Sequence, residues 1–306
     1  MFGKLRPYLR KYWLADFSGV CSSEIWVLKS INEHKFINKY IYNIVQTNHF
    51  IQLCNLSTGS KMPRADWNYV KDQSIAVTTI VEQEKISKFL ILLDKKIELQ
   101  ESKIDALKIY KRGIIQRIYN RNWNNKIKME EILIQKSIRN TNDEIHNVYS
   151  VSNKDGFILQ TEQFKDRIVA SEDTRNYKVV AKNDFAYNPA RINVGSIARM
   201  KQDIKGIISP MYICFKCNEK ILPEYLEYFF ESSKFTYEMS KRLEGSVRMC
   251  LSYESMLNIP IESPNKNEQE KISTFLNSLS NKIKLEEKKF MELNKLKKGL
   301  LQKMFI

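Results

Sequence analysis

Long apolar runs are missing from this 306-residue sequence. The best of them, from Phe89 to Leu93, has five residues, far short of the ~20 that a bilayer span needs. The opening MFGKLRPYLRKYW holds no apolar core of a signal peptide, so a soluble, cytoplasmic protein with no membrane association is expected. Only nine glycines and seven prolines are present, which excludes collagen-like and low-complexity classes. The five cysteines, Cys21, Cys54, Cys214, Cys217 and Cys250, are an odd number without an export signal, and that fits reduced thiols better than a disulfide framework. Cys214 and Cys217 form one CxxC, but no second CxxC or His pair completes a tetrahedral site. Neither a metal nor a cofactor is expected.

What is abundant is positive charge. Fifty Lys and Arg against thirty-five Asp and Glu leave +15, with a pI near 9.4. Such an excess points to a polyanion, nucleic acid or an anionic membrane surface, or else to a solvated Lys-rich surface. A 43% hydrophobic content is globular, and the length suits about two domains.

The organisation comes from an internal repeat. EQEKISKFLILLDKKIELQESKIDALKIYKRGIIQRIY, 82–119, returns without a gap as EQEKISTFLNSLSNKIKLEEKKFMELNKLKKGLLQKMF, 268–305. Both copies read as long amphipathic helices with a heptad seam. The seam runs through Ile86, Leu90, Leu93, Ile97, Gln100, Ile104 and Leu107 in the first copy. In the second it runs through Ile272, Leu276, Leu279, Ile283, Glu286, Phe290 and Leu293. Each copy makes a rod of roughly 57 Å at 1.5 Å per residue. Gln100 and Glu286 hold the same polar seam position, so antiparallel pairing about a pseudo-twofold axis predicts that they meet and set the register.

A weaker repeat precedes each helix. FSGVCSSEIWVLK matches IKGIISPMYICFK, with Gly19 opposite Gly206 and Ser22 opposite Ser209. STGSKMPRADW lies opposite LEGSVRMCLSY, with Gly59 against Gly245 and Ser60 against Ser246. EIWVLK, KVVAK, FAYNPARI and PMYICFK read as strands, and LPEYLEYFFESSKFTYEMSK as one helix opening at Pro223. The expected fold class is therefore α+β, mixed α/β globules alternating with long helices. The boundaries are 1–81 for a first, partial globule, 82–119 for helix one, 120–267 for a second globule and 268–306 for helix two. With Phe2 aligned near Phe185, the first globule is about 67 residues shorter than the second, all on its N-terminal side. The chain is thus expected to begin inside a domain, and a full version to approach 373 residues. A domain cut in this way is expected to be less stable or to recruit a partner.

Specific motifs tie this arrangement to a known family. Glu82, Gln83 and Ile86, repeated as Glu268, Gln269 and Ile272, join KKGLLQKMF at 297–305, GKLRPYLRK at 3–11 and GSKMPR at 59–64. Across essentially the whole chain, two globules each followed by such a helix resemble the specificity subunit of a type I restriction-modification enzyme. The resemblance implies that the globules are target recognition domains, each reading half of a bipartite site on double-stranded DNA. It implies that the helices pair as an antiparallel coiled coil, space the half-sites and dock methyltransferase (M) and restriction (R) subunits, with self-pairing through the helices possible.

Candidate DNA contacts are Lys4, Arg6, Tyr8, Arg10, Lys11, Lys61, Arg64, Arg191, Arg199, Lys201, Arg242, Ser246 and Arg248. Arginine is favoured for base edges because its fork matches guanine, while Lys and Ser more often hold phosphates. Catalysis by the chain itself finds little support. YNPARI, 187–192, has Ala190 and Arg191 where a base-flipping methyltransferase needs Pro and an aromatic residue. Glu33-His34-Lys35 matches a nuclease element only by a string common in such a composition. Gly3-Lys4 has no Walker loop upstream, and His34, His49 and His146 stand apart. A non-catalytic specificity subunit leads, with two alternatives. One is a truncated or silent remnant reading at most one half-site; the other is a self-contained methyltransferase or nuclease.

Overall fold

The computed structural model describes 1–56, 62–123, 125–163, 173–245 and 249–305. Two compact units emerge, one formed by 1–106 with 283–306 and the other by 107–282.

The first unit begins with strand β1 (Phe2–Gly3), which pairs antiparallel with β2 (Ile25–Trp26). Helices α1 (Asn38–Ile44), α2 (Asn48–Asn55) and the short α3 (Trp67–Val70) follow. Thr47 starts α2 by accepting a hydrogen bond from the Phe50 amide, the N-cap arrangement that satisfies an orphan donor. Helix α4 (Ile80–Tyr119) then runs for 40 residues.

The second unit opens with β3 (Lys126–Lys128), β4 (Leu133–Lys136), β5 (Val148–Ser152) and β6 (Gly156–Leu159), followed by the single turn α5 (Gln160–Gln163). Next come β7 (Lys178–Val180), β8 (Phe185–Tyr187), β9 (Ile197–Arg199), β10 (Gly206–Ile208) and β11 (Ile213–Cys217). Helices α6 (Pro223–Phe230), α7 (Ser233–Ser240) and α8 (Tyr253–Leu257), strand β12 (Pro260–Glu262) and the 39-residue α9 (Lys266–Met304) complete the chain. Two four-stranded sheets have the orders β6-β5-β10-β7 and β4-β11-β8-β9, and β12 pairs with β3. The strand-like runs named above fall in β2, β7, β8 and β11.

One expected helix is two. Ser232 accepts a hydrogen bond from the Phe235 amide, so α7 starts afresh with two residues between it and the end of α6. The pair α6–α7, capped by Ser232, repeats α1–α2, capped by Thr47. CxxC lies on β11 with Cys214 buried; desolvation raises the Cys214 thiol to about 12 and Cys217 to about 11. Both stay protonated and poorly nucleophilic at neutral pH.

Within each unit the long helices pack antiparallel. In the first, Ile86 and Leu90 of α4 share a core with Leu301 of α9, and Tyr40 and Phe50 of the globule fill the same cluster. In the second, Ile115 and Tyr119 share a core with Leu276, around the rings of Phe185, Phe215, Tyr225 and Phe229. Leu276 is fully buried. The seam residues stand as follows: Ile86, Leu90, Leu93, Ile104, Leu276, Leu279, Ile283 and Glu286 are buried, while Ile97, Gln100, Leu107, Ile272, Phe290 and Leu293 are half-buried. None is exposed.

Gln100 and Glu286 meet in the first unit. The Gln100 Nε2 donates to Glu286 Oε2 at 2.7 Å and to the Glu286 carbonyl at 3.0 Å, and the Lys103 and Lys289 ammonium groups lie 2.9 and 3.4 Å from Glu286 Oε1. The donated hydrogen bonds, Gln100 first and Lys103 next, hold the Glu286 carboxyl down at about 2. A depressed carboxyl pKa contributes stability above the unfolded value near 4.5 and loses it as pH falls toward 2. Acid unfolding of the first unit should therefore steepen between those values, and Glu286→Gln should flatten that limb in a circular dichroism titration.

Gly113 and Gly299 are repeat counterparts, and nothing lies within 4 Å of a Cβ built on either. A mid-helix glycine without a steric duty costs about 0.8–1 kcal/mol relative to alanine. Gly113→Ala and Gly299→Ala should each raise stability by roughly that amount in thermal unfolding.

Candidate nucleic-acid interface

Four candidate cations, Lys4, Arg6, Arg10 and Lys11, flank a turn in the first unit, and Arg191 opens the matching turn in the second. In the first unit the chain leaves β1, forms a one-turn 3-10 helix at Pro7–Leu9 and returns beside β1, where Phe2 pairs with Tyr12. In the second it leaves β8, forms a 3-10 turn at Ile192–Val194 and returns as β9, where Tyr187 pairs with Ile197.

Several backbone hydrogen bonds correspond. Gly3 N donates to Lys11 O at 2.8 Å, as Asn188 N does to Ser196 O at 3.1 Å. Arg10 N donates to Pro7 O, as Gly195 N does to Ile192 O, both at 2.9 Å. Ala65 N donates to Lys4 O at 2.9 Å, as Leu251 N does to Pro189 O at 3.1 Å. Phe2 thus stands where Tyr187 stands, two places along from the Phe185 expected from sequence. Arg6 matches Arg191, and Arg10 matches Gly195.

That last substitution has a cost. Gly195 has φ +89°, a value glycine adopts freely, whereas Arg10 has φ +52° in the left-handed region that L residues avoid. The Arg10 side chain is anchored there, donating to the Gln46 carbonyl at 3.3 Å and to Asn48 Oδ1 at 2.5 Å. Arg10→Gly removes both the strain and the anchor, and the two nearly cancel. A stability change within about 1 kcal/mol is expected by urea unfolding.

The remaining candidates separate by their partners. Arg64 is exposed and its Nε donates to Glu24 at 3.1 Å; this guanidinium, first through its hydrogen bond, lowers the Glu24 pKa. Arg242 donates to the carboxylate and carbonyl of Glu238 at 2.6 and 2.8 Å. Lys201 is exposed and pairs with Glu227 at 2.7 Å. Lys4 is half-buried, whereas Arg6, Tyr8, Lys11 and Arg191 are exposed. Lys61, Ser246 and Arg248 lie outside the described residues, as do Gly59 and Ser60 of the GSKMPR motif.

Arg199 requires correction. It is 8% exposed, with its guanidinium bound to Glu227 at 2.9 Å, Glu224 at 2.7 Å and Asn183 at 2.6 Å. With Nε and Nη1 committed to two carboxylates and an asparagine and the side chain buried, Arg199 ties β9 to α6 instead of standing free at the surface. The YNPARI string is likewise structural at its asparagine, where Asn188 Oδ1 accepts from the Ala190 amide and closes a turn.

Two functional side chains escaped the candidate set, although their motif was conspicuous. Gln83 is fully buried at the start of α4. Its Oε1 accepts from the Ile37 amide at 3.1 Å, and its Nε2 donates to the carbonyls of Lys35 and Thr78 at 2.9 and 2.8 Å. Gln269 repeats this in the second unit, accepting from the Leu222 amide at 2.8 Å. It donates to Ser263 Oγ at 2.9 Å, to the Pro264 carbonyl at 3.0 Å and to the Lys220 carbonyl at 3.4 Å. Ile37 and Leu222 are the N-caps of α1 and α6. Each glutamine therefore ties the base of a long helix to the first helix of the capped pair in its globule. The signal available in sequence was that Gln, a residue seldom buried unpaired, recurs at the same point of both repeats.

Known proteins align with this architecture. The family profile described as type I restriction modification DNA specificity domain matches 10–108 and 125–295. The HsdS subunit from Thermoanaerobacter tengcongensis has a similar fold, with a TM-score of 0.50 and 15% identity over 90% of this chain and 71% of that one. The type I restriction-modification system S subunit from M. genitalium gives 0.57 and 14% over 90% and 74%. A chain from a structural study of complex assembly and conformational transition of the type I R-M system gives 0.55 and 12% over 88% and 71%. No curated protein matches in sequence.

Proposed function

Because this chain belongs to the type I restriction-modification DNA specificity family, we propose that it reads a bipartite site on double-stranded DNA and scaffolds the methyltransferase and restriction subunits of such an enzyme. The observation that supports this is the duplication of a whole structural device. Each unit has the same strand-turn-strand, the same capped helix pair and the same glutamine tie to a long helix. A single-site binder has no use for two such devices, whereas a split target has one half for each. Helices of fixed length suit a spacer, since the length of DNA between half-sites grows by about 3.4 Å per base pair. The chain itself supplies recognition, and chemistry on DNA belongs to its partners.

The helices also offer matched surfaces for those partners. Phe89 and Phe275 are repeat counterparts, 49% and 47% exposed, and the pairs Leu99 with Leu285 and Tyr110 with Leu296 are exposed as well. Exposed apolar side chains repeated at equivalent positions mark interaction sites better than scattered ones. Phe89→Asp with Phe275→Asp should abolish co-purification with the methyltransferase subunit while leaving the circular dichroism spectrum unchanged.

The function itself is tested by selecting random-sequence duplexes with the chain assembled on its methyltransferase subunit at a stated salt concentration. Enrichment of two short motifs at a fixed separation is expected. Recovery of one continuous motif, or methyl transfer or cleavage by the purified chain alone with S-adenosylmethionine and Mg2+, would overturn the reading.

A further inference from the structure

Resting on that reading, we infer that Arg6 and Arg191 are one and the same DNA-backbone anchor, built once in each unit to grip a phosphate of its half-site. Sequence reasoning assigned arginines to base edges; the duplicated turn argues otherwise for these two.

Three observations converge. First, Arg6 and Arg191 hold the same place, the residue immediately before the 3-10 turn, in backbone frameworks that share the ladder bond, the turn bonds and the tie to a third segment, although Arg6 is left-handed at φ +53° and Arg191 lies at φ −134°. Both backbones are pinned there: Arg6 N donates to Pro63 O at 2.7 Å and Leu9 N to Arg6 O at 2.9 Å, while Arg191 N donates to Asn188 O at 3.0 Å and Val194 N to Arg191 O at 3.2 Å.

Second, among the described residues neither guanidinium has a side-chain hydrogen bond or ion pair, and both are exposed. The other described candidate arginines, Arg10, Arg64, Arg199 and Arg242, are all engaged with protein groups. Two free arginines at one duplicated position stand out against four committed ones.

Third, the surroundings of the two arginines differ. Lys4 is replaced by Pro189, Tyr8 by Asn193, Arg10 by Gly195 and Lys11 by Ser196. Readers of two different half-sites share only what does not depend on sequence, and phosphate contacts are of that kind: they fix register while base contacts specify. The shared arginine therefore belongs to the backbone, and the divergent neighbours to the bases. Guanidinium suits the task, since its parallel N–H donors match two phosphate oxygens.

The test uses the full chain assembled with its methyltransferase subunit, measuring Kd across a salt series for a selected target duplex and a scrambled one. Arg6→Ala and Arg191→Ala should each weaken binding to both duplexes by the same factor, roughly tenfold. Each should also lower the slope of log affinity against log salt by about 1. Arg6→Lys and Arg191→Lys, which retain the charge and guard against a folding defect, should recover most of the affinity. Loss confined to the target duplex, a changed base preference in one half-site, or failure of lysine to rescue would show a base reader instead and overturn the inference. Unchanged binding would overturn it too. A wild-type assembly that binds no duplex would sink the functional reading and this inference with it, an outcome distinct from wild-type binding that the variants leave untouched.

Discussion

Gln269→Ala is expected to lower the stability of the second unit by about 3 kcal/mol and its thermal midpoint by about 10 °C. The estimate follows from what the side chain satisfies. Its loss strands the amide of Leu222, the residue at the N-cap of α6, and removes the donor shared by Ser263 Oγ and the Pro264 carbonyl. Each buried polar group left without a partner costs about 1–3 kcal/mol, and a unit of this size loses roughly 2–4 °C per kcal/mol. Gln269→Met keeps the volume and removes only the polar atoms, so it should cost nearly as much. A loss below 1 kcal/mol for the methionine variant would mean that the tie contributes packing alone. Gln83→Ala should act in the same way on the first unit. In DNA selection, a globule released from its helix base should blur the separation between half-sites while each half-site motif persists.

Arg199→Ala is the second large effect, about 3 kcal/mol from the second unit by chemical unfolding. Removing the guanidinium takes the shared counter-charge from Glu224 and Glu227, and among the described residues Lys201 alone still pairs with Glu227. A largely buried carboxylate without its counter-charge is costly, and most of that cost is repulsion and desolvation rather than a lost contact. The triple change Arg199→Met, Glu224→Gln, Glu227→Gln should recover much of the stability, because it deletes the charges together. DNA affinity per folded molecule should stay constant throughout; a tenfold fall in affinity with unaltered unfolding would return Arg199 to the DNA-contact set.

The long helices and their antiparallel pairing were legible in the sequence because they rest on local periodicity, repeated at one constant offset over 38 residues. Gln100 and Glu286 fell together from symmetry alone. The globules were harder. Their strands have two to five residues, too short for alternation to register, and their sheets join segments far apart in the chain, as β11 joins β4. Candidate arginines looked alike for the same reason. What separates Arg199 from Arg191 is a pair of glutamates 25 and 28 residues away, and no local pattern announces them. The break between α6 and α7 was hidden because FESSKF is as good a helix interior by composition as it is a stop and a fresh cap. Gln83 and Gln269 were visible as a motif but not as a joint, since their partners are mostly backbone groups that carry no residue identity.

The mismatch at the middle of the helix pair bears on which helices find each other. Had duplication stayed perfect, the two seam positions would carry the same residue, and α4 or α9 would pair as readily with its twin from another molecule as with its neighbour in the same chain. With glutamine on one side and a buried glutamate on the other, two α9 helices brought together would oppose carboxylate to carboxylate. Two α4 helices would meet amide to amide and forgo the charged bond. The divergence at this seam position is expected to favour pairing of α4 with α9 over pairing of either helix with its twin.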